Sequence, residues 1–241
     1  MCDAVPQPRS LSRRSLLAGA GAVCTATLLQ VPNALAEQPA NQSPPNAISP
    51  DEALQRLMDG NARYAANAPR ERDYSAGRAA RVTAQYPIAA ILSCSDSRVA
   101  PELAFDQGPG DVFIVRIAGN FVDDDGLASL EYAVKFLGVP LIMVLGHQNC
   151  GAVDAAIAVV TSRKELPGHL PDLIEAIKPA VIAAHGRHSS DLLAAAIEEN
   201  VRLNVKRLNV DKPILSEAVA AKKIKVVGGI YDLATGKVGL L

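Results

Sequence analysis

Two short segments of this 241-residue chain carry side chains that can hold a metal ion: Cys94-Ser95-Asp96-Ser97-Arg98 and Gly146-His147-Gln148-Asn149-Cys150-Gly151. Cys94, His147 and Cys150 offer two soft thiolates and one imidazole, a donor set that suits zinc. Three protein ligands leave the fourth tetrahedral position for water, which is the arrangement of a catalytic site rather than a closed structural one. Two thiolates cancel the charge of the ion, so bound water is acidified less than on zinc held by neutral ligands. Asp96 and Arg98 are the groups expected to compensate. They can form a bidentate carboxylate–guanidinium pair in which Asp96 accepts a hydrogen bond from zinc-bound water or hydroxide. Arg98 would hold Asp96 off the metal; released, Asp96 could take the fourth place and shut the site.

Taken alone, each piece has a plainer meaning. A cysteine at a strand end is commonly core, His-x-x-Cys is a weak motif, and Asp-x-Arg is usually a surface ion pair. Their combination carries the argument, because each segment follows a buried apolar run. Ile88–Ser93 leads into Cys94 and Leu141–Leu145 leads into Gly146-His147, with further runs at Val112–Val115 and Ile224–Ile230. Such runs read as strands buried on both faces. Helical patterns fall at Gly126–Leu137, Gly151–Ser162, Leu170–Ala184 and Asp191–Leu208, with another expected over Tyr74–Gln85. Ser49-Pro50-Asp51-Glu52 is a helix start. Strands alternating with helices predict an α/β single domain with a mostly parallel central β-sheet flanked by helices. Ligands gather at the carboxyl ends of such strands, so the two segments can meet although 53 residues separate Cys94 from His147.

The first 36 residues are expected to lie outside this fold. Ser12-Arg13-Arg14-Ser15-Leu16-Leu17, a weakly apolar stretch to Leu29 and Ala34-Leu35-Ala36 resemble a twin-arginine export signal with its cleavage site. Residues 37–48 read as a flexible linker and residues 49–241 as the domain. Cleavage would leave 21 basic and 24 acidic residues and only Cys94 and Cys150 among the cysteines. The destination is periplasmic or otherwise exported, with no stable membrane insertion after cleavage. With no basic run interleaved with aromatics, no nucleic acid is expected as partner. His169, His185 and His188 have no ligand partner at useful spacing and read as structural or solvated.

The segments Cys94–Glu102, Phe105–Asp111, Val115–Asn120, Leu130–Ala133 and Gly146–Val153 together resemble the β-class carbonic anhydrases, over roughly Ala53 to Leu241. That resemblance implies reversible hydration of carbon dioxide to bicarbonate and a proton by zinc-bound hydroxide. It puts Cys94, His147 and Cys150 on one zinc per subunit, with Asp96–Arg98 as the neighbouring dyad. It also implies a substrate pocket made of Gln85, Phe113, Ala118, Tyr132 and Gly151. Gln85 and Tyr132 would reach in from a partner subunit, so a homodimer or homotetramer is implied, with Ser49–Asn67 packing across onto the neighbour. Absence of Trp, together with Gln85, resembles the branch that lacks an inhibitory bicarbonate site. The rivals are a hydrolase of carbonyl sulfide or carbon disulfide, a non-catalytic zinc-binding protein, and a Cys94/Cys150 redox pair.

Overall fold

The most continuous apolar runs take the centre of a five-stranded sheet. In the computed structural model, which describes residues 43–187 and 189–241, β1 (Ala89–Ser93) and β3 (Leu141–His147) are buried along their full length. Half-buried β2 (Val112–Arg116) lies outside β1, while β4 (Lys225–Tyr231) and then β5 (Val238–Leu240) lie outside β3. The first four strands are parallel, as expected, and only β5 returns antiparallel, pairing Gly229 with Leu240. The export-signal segment 1–36, residues 37–42 of the expected linker, and His188 lie outside the described residues.

Eight helices are described: α1 (Pro50–Ala65), α2 (Arg78–Arg81), α3 (Pro101–Ala104), α4 (Asp124–Leu137), α5 (Gly151–Ser162), α6 (Leu170–His185), α7 (Leu192–Val210) and α8 (Ile214–Ala220). Alternate residues of β1 face opposite ways, as strand geometry requires. Ala90 and Leu92 pack with Leu130 and Ala133 of α4, Val201 and Leu208 of α7 and Leu215 of α8. Ala89 and Ile91 pack with Ala53 and Leu57 of α1 and with Ala104 of α3. Both faces of the sheet are therefore covered. A third cluster joins α5, α6 and the start of α7 around Cys94 and Cys150.

Close approach of α7 to the sheet depends on missing side chains. A Cβ on Gly146 or Gly228 would stand 2.7 Å from a methyl of Val201, so glycine is what lets this helix lie flat over β3 and β4. Helix starts follow the chemistry of the sequence. Ser49 accepts from the Glu52 N–H at 3.1 Å, Asp123 caps α4 and Asp191 caps α7.

Two expectations are corrected. The helix over Tyr74–Gln85 shrinks to the single turn of α2, because the stretch has no side to bury: α2 contains no buried residue, and Tyr74 and Val82 are exposed. The linker does not extend to residue 48, since buried Asn46 donates to Pro87 O at 3.1 Å and Leu137 O at 2.7 Å. Helix α1 seats Ala53 and Leu57, both fully buried, on its own subunit.

Candidate metal centre

Sheet order reverses at β1: the chain leaves it for β2 on one side and returns as β3 on the other. A crevice opens at the carboxyl ends of such a strand pair. Register sets Ser93 beside Leu145, so Cys94 and His147 emerge together at that edge. Cys150 follows three residues later as the N-cap of α5, where the helix dipole favours a thiolate.

The Cys94, His147 and Cys150 ligand atoms lie within 4.8 Å of one another, and all three residues are buried. The two sulfurs are 4.0 Å apart. Two thiolates on one tetrahedral zinc, with bonds of about 2.3 Å, stand about 3.8 Å apart, whereas a disulfide is about 2.05 Å. Both cysteines are free. His147 Nδ1 lies 2.8 Å from Gln148 O, which assigns the ring proton to Nδ1 and leaves the Nε2 lone pair for a ligand. Nε2 is buried with no partner; among the described residues, only Asn120 Nδ2 shares that condition. An orphaned imidazole nitrogen beside two thiols fits a metal ion.

Electrostatics of the cluster agree with that fit. Contact with the Cys150 thiol draws Cys94 well below an ordinary thiol despite burial, helped by His147 and the Gly119 N–H. The same contact with Cys94, and burial after it, pushes Cys150 up. A metal bound here would take both sulfurs as thiolates and displace their protons.

Asp96 Oδ2 stands 3.8 Å from His147 Nε2. Arg98 grips it as expected: Nε to Oδ1 at 2.9 Å, a terminal nitrogen to Oδ2 at 2.8 Å, and its backbone N–H to Oδ1 at 2.9 Å. That guanidinium holds the Asp96 carboxyl well below the usual carboxylate range, against opposing burial. Arg98 also donates to Asn149 O at 3.2 Å, tying the two motif segments together.

The expected pocket residues divide into two groups. Half-buried Ala118 precedes Gly119, whose N–H points at Cys94 Sγ, and Gly151 opens α5 with nothing within 4 Å of where its Cβ would be. Both flank the triad. Gln85 and Tyr132 instead line a separate cleft with Phe136, and Phe113 stacks on Tyr132 with centroids 6.4 Å apart. None of the three metal ligands lines that cleft.

Arg116 adds a contact to the site that residue spacing does not reveal. This side chain donates to Cys94 O at 3.0 Å and to Asp96 O and Val99 O at 2.8 Å, clamping the metal loop at three points. Its signal was present: a cation closing an otherwise apolar strand.

Comparison with known proteins agrees with this geometry. The family described as carbonic anhydrase matches residues 89–238. A carbonic anhydrase of Mycolicibacterium smegmatis is 39% identical over 198 residues, covering 81% of this chain and 95% of that protein. Carbonic anhydrase 2 of Mycobacterium tuberculosis is 39% identical over 190 residues, covering 78% and 91%. Among solved structures, a tetrameric β-carbonic anhydrase from Sordaria macrospora superposes with a TM-score of 0.62 at 26% identity, covering 79% of this chain and 97% of that one. The chain belongs to the carbonic anhydrase family, in its β class.

Proposed function

We propose that this protein is a zinc-dependent carbonate dehydratase, converting carbon dioxide and water to bicarbonate and a proton, and back. The observation that carries the proposal is the buried Cys94–His147–Cys150 cluster with its free Nε2 beside an ionised, arginine-locked Asp96. Held by these three ligands, zinc supplies Lewis acidity that makes water a nucleophile near neutral pH. The Gln148 carbonyl fixes the tautomer of His147. Asp96 is a fixed acceptor that would take a hydrogen bond from the nucleophile and so aim its lone pair at the carbon of the substrate. Arg98 keeps the carboxylate in that service and out of the metal's coordination shell, and Arg116 fixes the backbone from which both cysteine and carboxylate project.

Ala118 and Gly151 leave room beside the metal for a small linear substrate. Gln85 and Tyr132 complete the pocket from a partner subunit, a proposal supported by their lining a cleft that holds none of the metal ligands of their own chain, and Phe113 packs against Tyr132 as an apolar wall. The assembly is a homodimer or homotetramer; the Sordaria relatives are described as tetrameric. Lack of Trp and the intact Asp96–Arg98 pair support the branch without bicarbonate inhibition. Residues 1–36 serve as a twin-arginine export signal, supported by their sequence pattern.

Stopped-flow hydration of carbon dioxide tests the function. The zinc-loaded protein should turn over hyperbolically without suppression by bicarbonate, lose activity to a chelator and regain it with zinc. A metal-free protein with joined thiols, or one that prefers carbonyl sulfide or carbon disulfide, overturns it.

A further inference from the structure

Around the metal loop, α7 makes contacts that neither fold nor chemistry has yet explained. Asn200 and Asn204 are buried, on a helix whose other buried positions are mostly apolar. An amide in such a place persists only where it satisfies other buried polar groups. Asn200 Nδ2 donates to Gly119 O at 2.7 Å. One turn on, Asn204 donates to Asn200 O at 2.7 Å and accepts from the Val122 N–H at 2.7 Å. Arg207, a further turn along, donates to Val122 O at 2.6 Å. Residues at i, i+4 and i+7 share one helix face, so one stripe of α7 holds both ends of the loop 119–122.

That loop has one direct link to the metal ligands. The Gly119 N–H donates to Cys94 Sγ at 3.2 Å. The loop is confined from the other side too: Gly119 has φ +85°, and a Cβ there would stand 2.5 Å from Ile177 Cδ1 of α6. The helix that does the holding is itself seated by the close contacts of Val201, the neighbour of Asn200, with the sheet at Gly146 and Gly228.

We infer that Asn200 is a positioning residue for the metal centre, fixing the Gly119 peptide so that its N–H is aimed at the Cys94 sulfur, with Asn204 bracing the far end of the loop. The inference rests on the proposed zinc site. A hydrogen bond to a ligating sulfur withdraws charge from it and fixes its direction, and loss of such outer contacts typically costs 10- to 100-fold in metal affinity.

The test compares Asn200→Ala with Asn61→Ala. Asn61 is equally buried and makes three backbone hydrogen bonds, to Ala104 O, Gly236 O and the Val238 N–H, none of them in the metal loop. Zinc is competed from each holoprotein with a chelator, and the sulfur-to-cobalt charge-transfer band is recorded after cobalt substitution. Both variants should lose thermal stability, but only Asn200→Ala should lose zinc affinity, by roughly 10-fold or more, and shift the band. If Asn200→Ala does not fold, Asn204→Ala is read in its place, with a smaller loss and shift expected. Unchanged affinity and band in the variant that folds, or equal changes in Asn61→Ala, overturn the inference. A wild type that retains no zinc removes the site beneath it and the inference as well.

Discussion

Asp96 owes its fixed orientation to a neighbour two residues away. Arg98 meets both carboxylate oxygens and its own backbone N–H adds a third bond, so the pair is pre-formed before any substrate arrives. An exposed ion pair is usually worth little to stability. This one therefore matters for orientation more than for folding, and substitution should separate the two. Asp96→Asn keeps the size but sets an NH₂ against the guanidinium and removes the acceptor charge. Hydration turnover is expected to fall about 100-fold or more, the ordinary scale for losing a positioned proton acceptor, while zinc content stays at one per chain. Stopped-flow rates alongside metal analysis check this, and retained turnover would favour a metal-binding role without catalysis. The triad and this dyad were legible in the sequence because their types and short spacings state their chemistry. Arg116 was not, since its three partners are backbone carbonyls that any residue could offer.

Between elements, the connection of α3 to β2 is anchored by one buried carboxylate. Asp106 sits at φ +47° and accepts from Arg63 of α1 at 2.6 Å, from Arg72 at 3.0 Å and from the Arg70 N–H at 3.3 Å. Burial opposes its ionisation, yet these donors outweigh it and hold its pKa below the ordinary 3.8. A group whose folded pKa is depressed contributes fully above its unfolded value and loses that contribution as pH falls through the folded one. Asp106→Asn, which tolerates the left-handed backbone, should therefore cost about 3 kcal/mol at pH 7 by leaving two arginines without their anion. The gap between wild type and variant should begin to narrow below about pH 4 and close only as pH falls through the depressed folded value. Urea midpoints at pH 7 and pH 3.5 measure it, and a gap that widens in acid contradicts the assignment. Element positions were largely legible where an apolar period was backed by a cap, as at α4 and α7. The stretch 74–85 had helical propensity but no buried face, and propensity alone does not hold a helix in a folded chain.

At the scale of the molecule, a single chain leaves an aromatic surface uncovered. Tyr132 and Phe136 stack with centroids 5.3 Å apart, and Phe136 and nearby Val82 are 73% and 79% exposed beside the Gln85 cleft. Exposed apolar patches of this kind mark association sites. On the proposed reading of residues 1–36 as a cleaved signal, the protein beginning at Glu37 is expected to sediment as a dimer or larger. Phe136→Glu should shift it toward monomer and cut hydration at least tenfold by parting the two halves of the pocket. A fully active monomer, or a mature chain that keeps residues 1–36, counts against the assembly or the export signal respectively. The sequence by itself determined the donor set, the dyad and the parallel α/β order, because these are written in residue type, short spacing and local period. The fold alone brings the Cys94 sulfur within 4.0 Å of that of Cys150, sets Arg116 against the Cys94–Val99 loop and the Asn200–Asn204 stripe against the loop 119–122, and stands Gln85 and Tyr132 apart from the triad. Those facts depend on strand register and on how closely α7 approaches two glycines, contacts between residues far apart in the chain that no local pattern encodes.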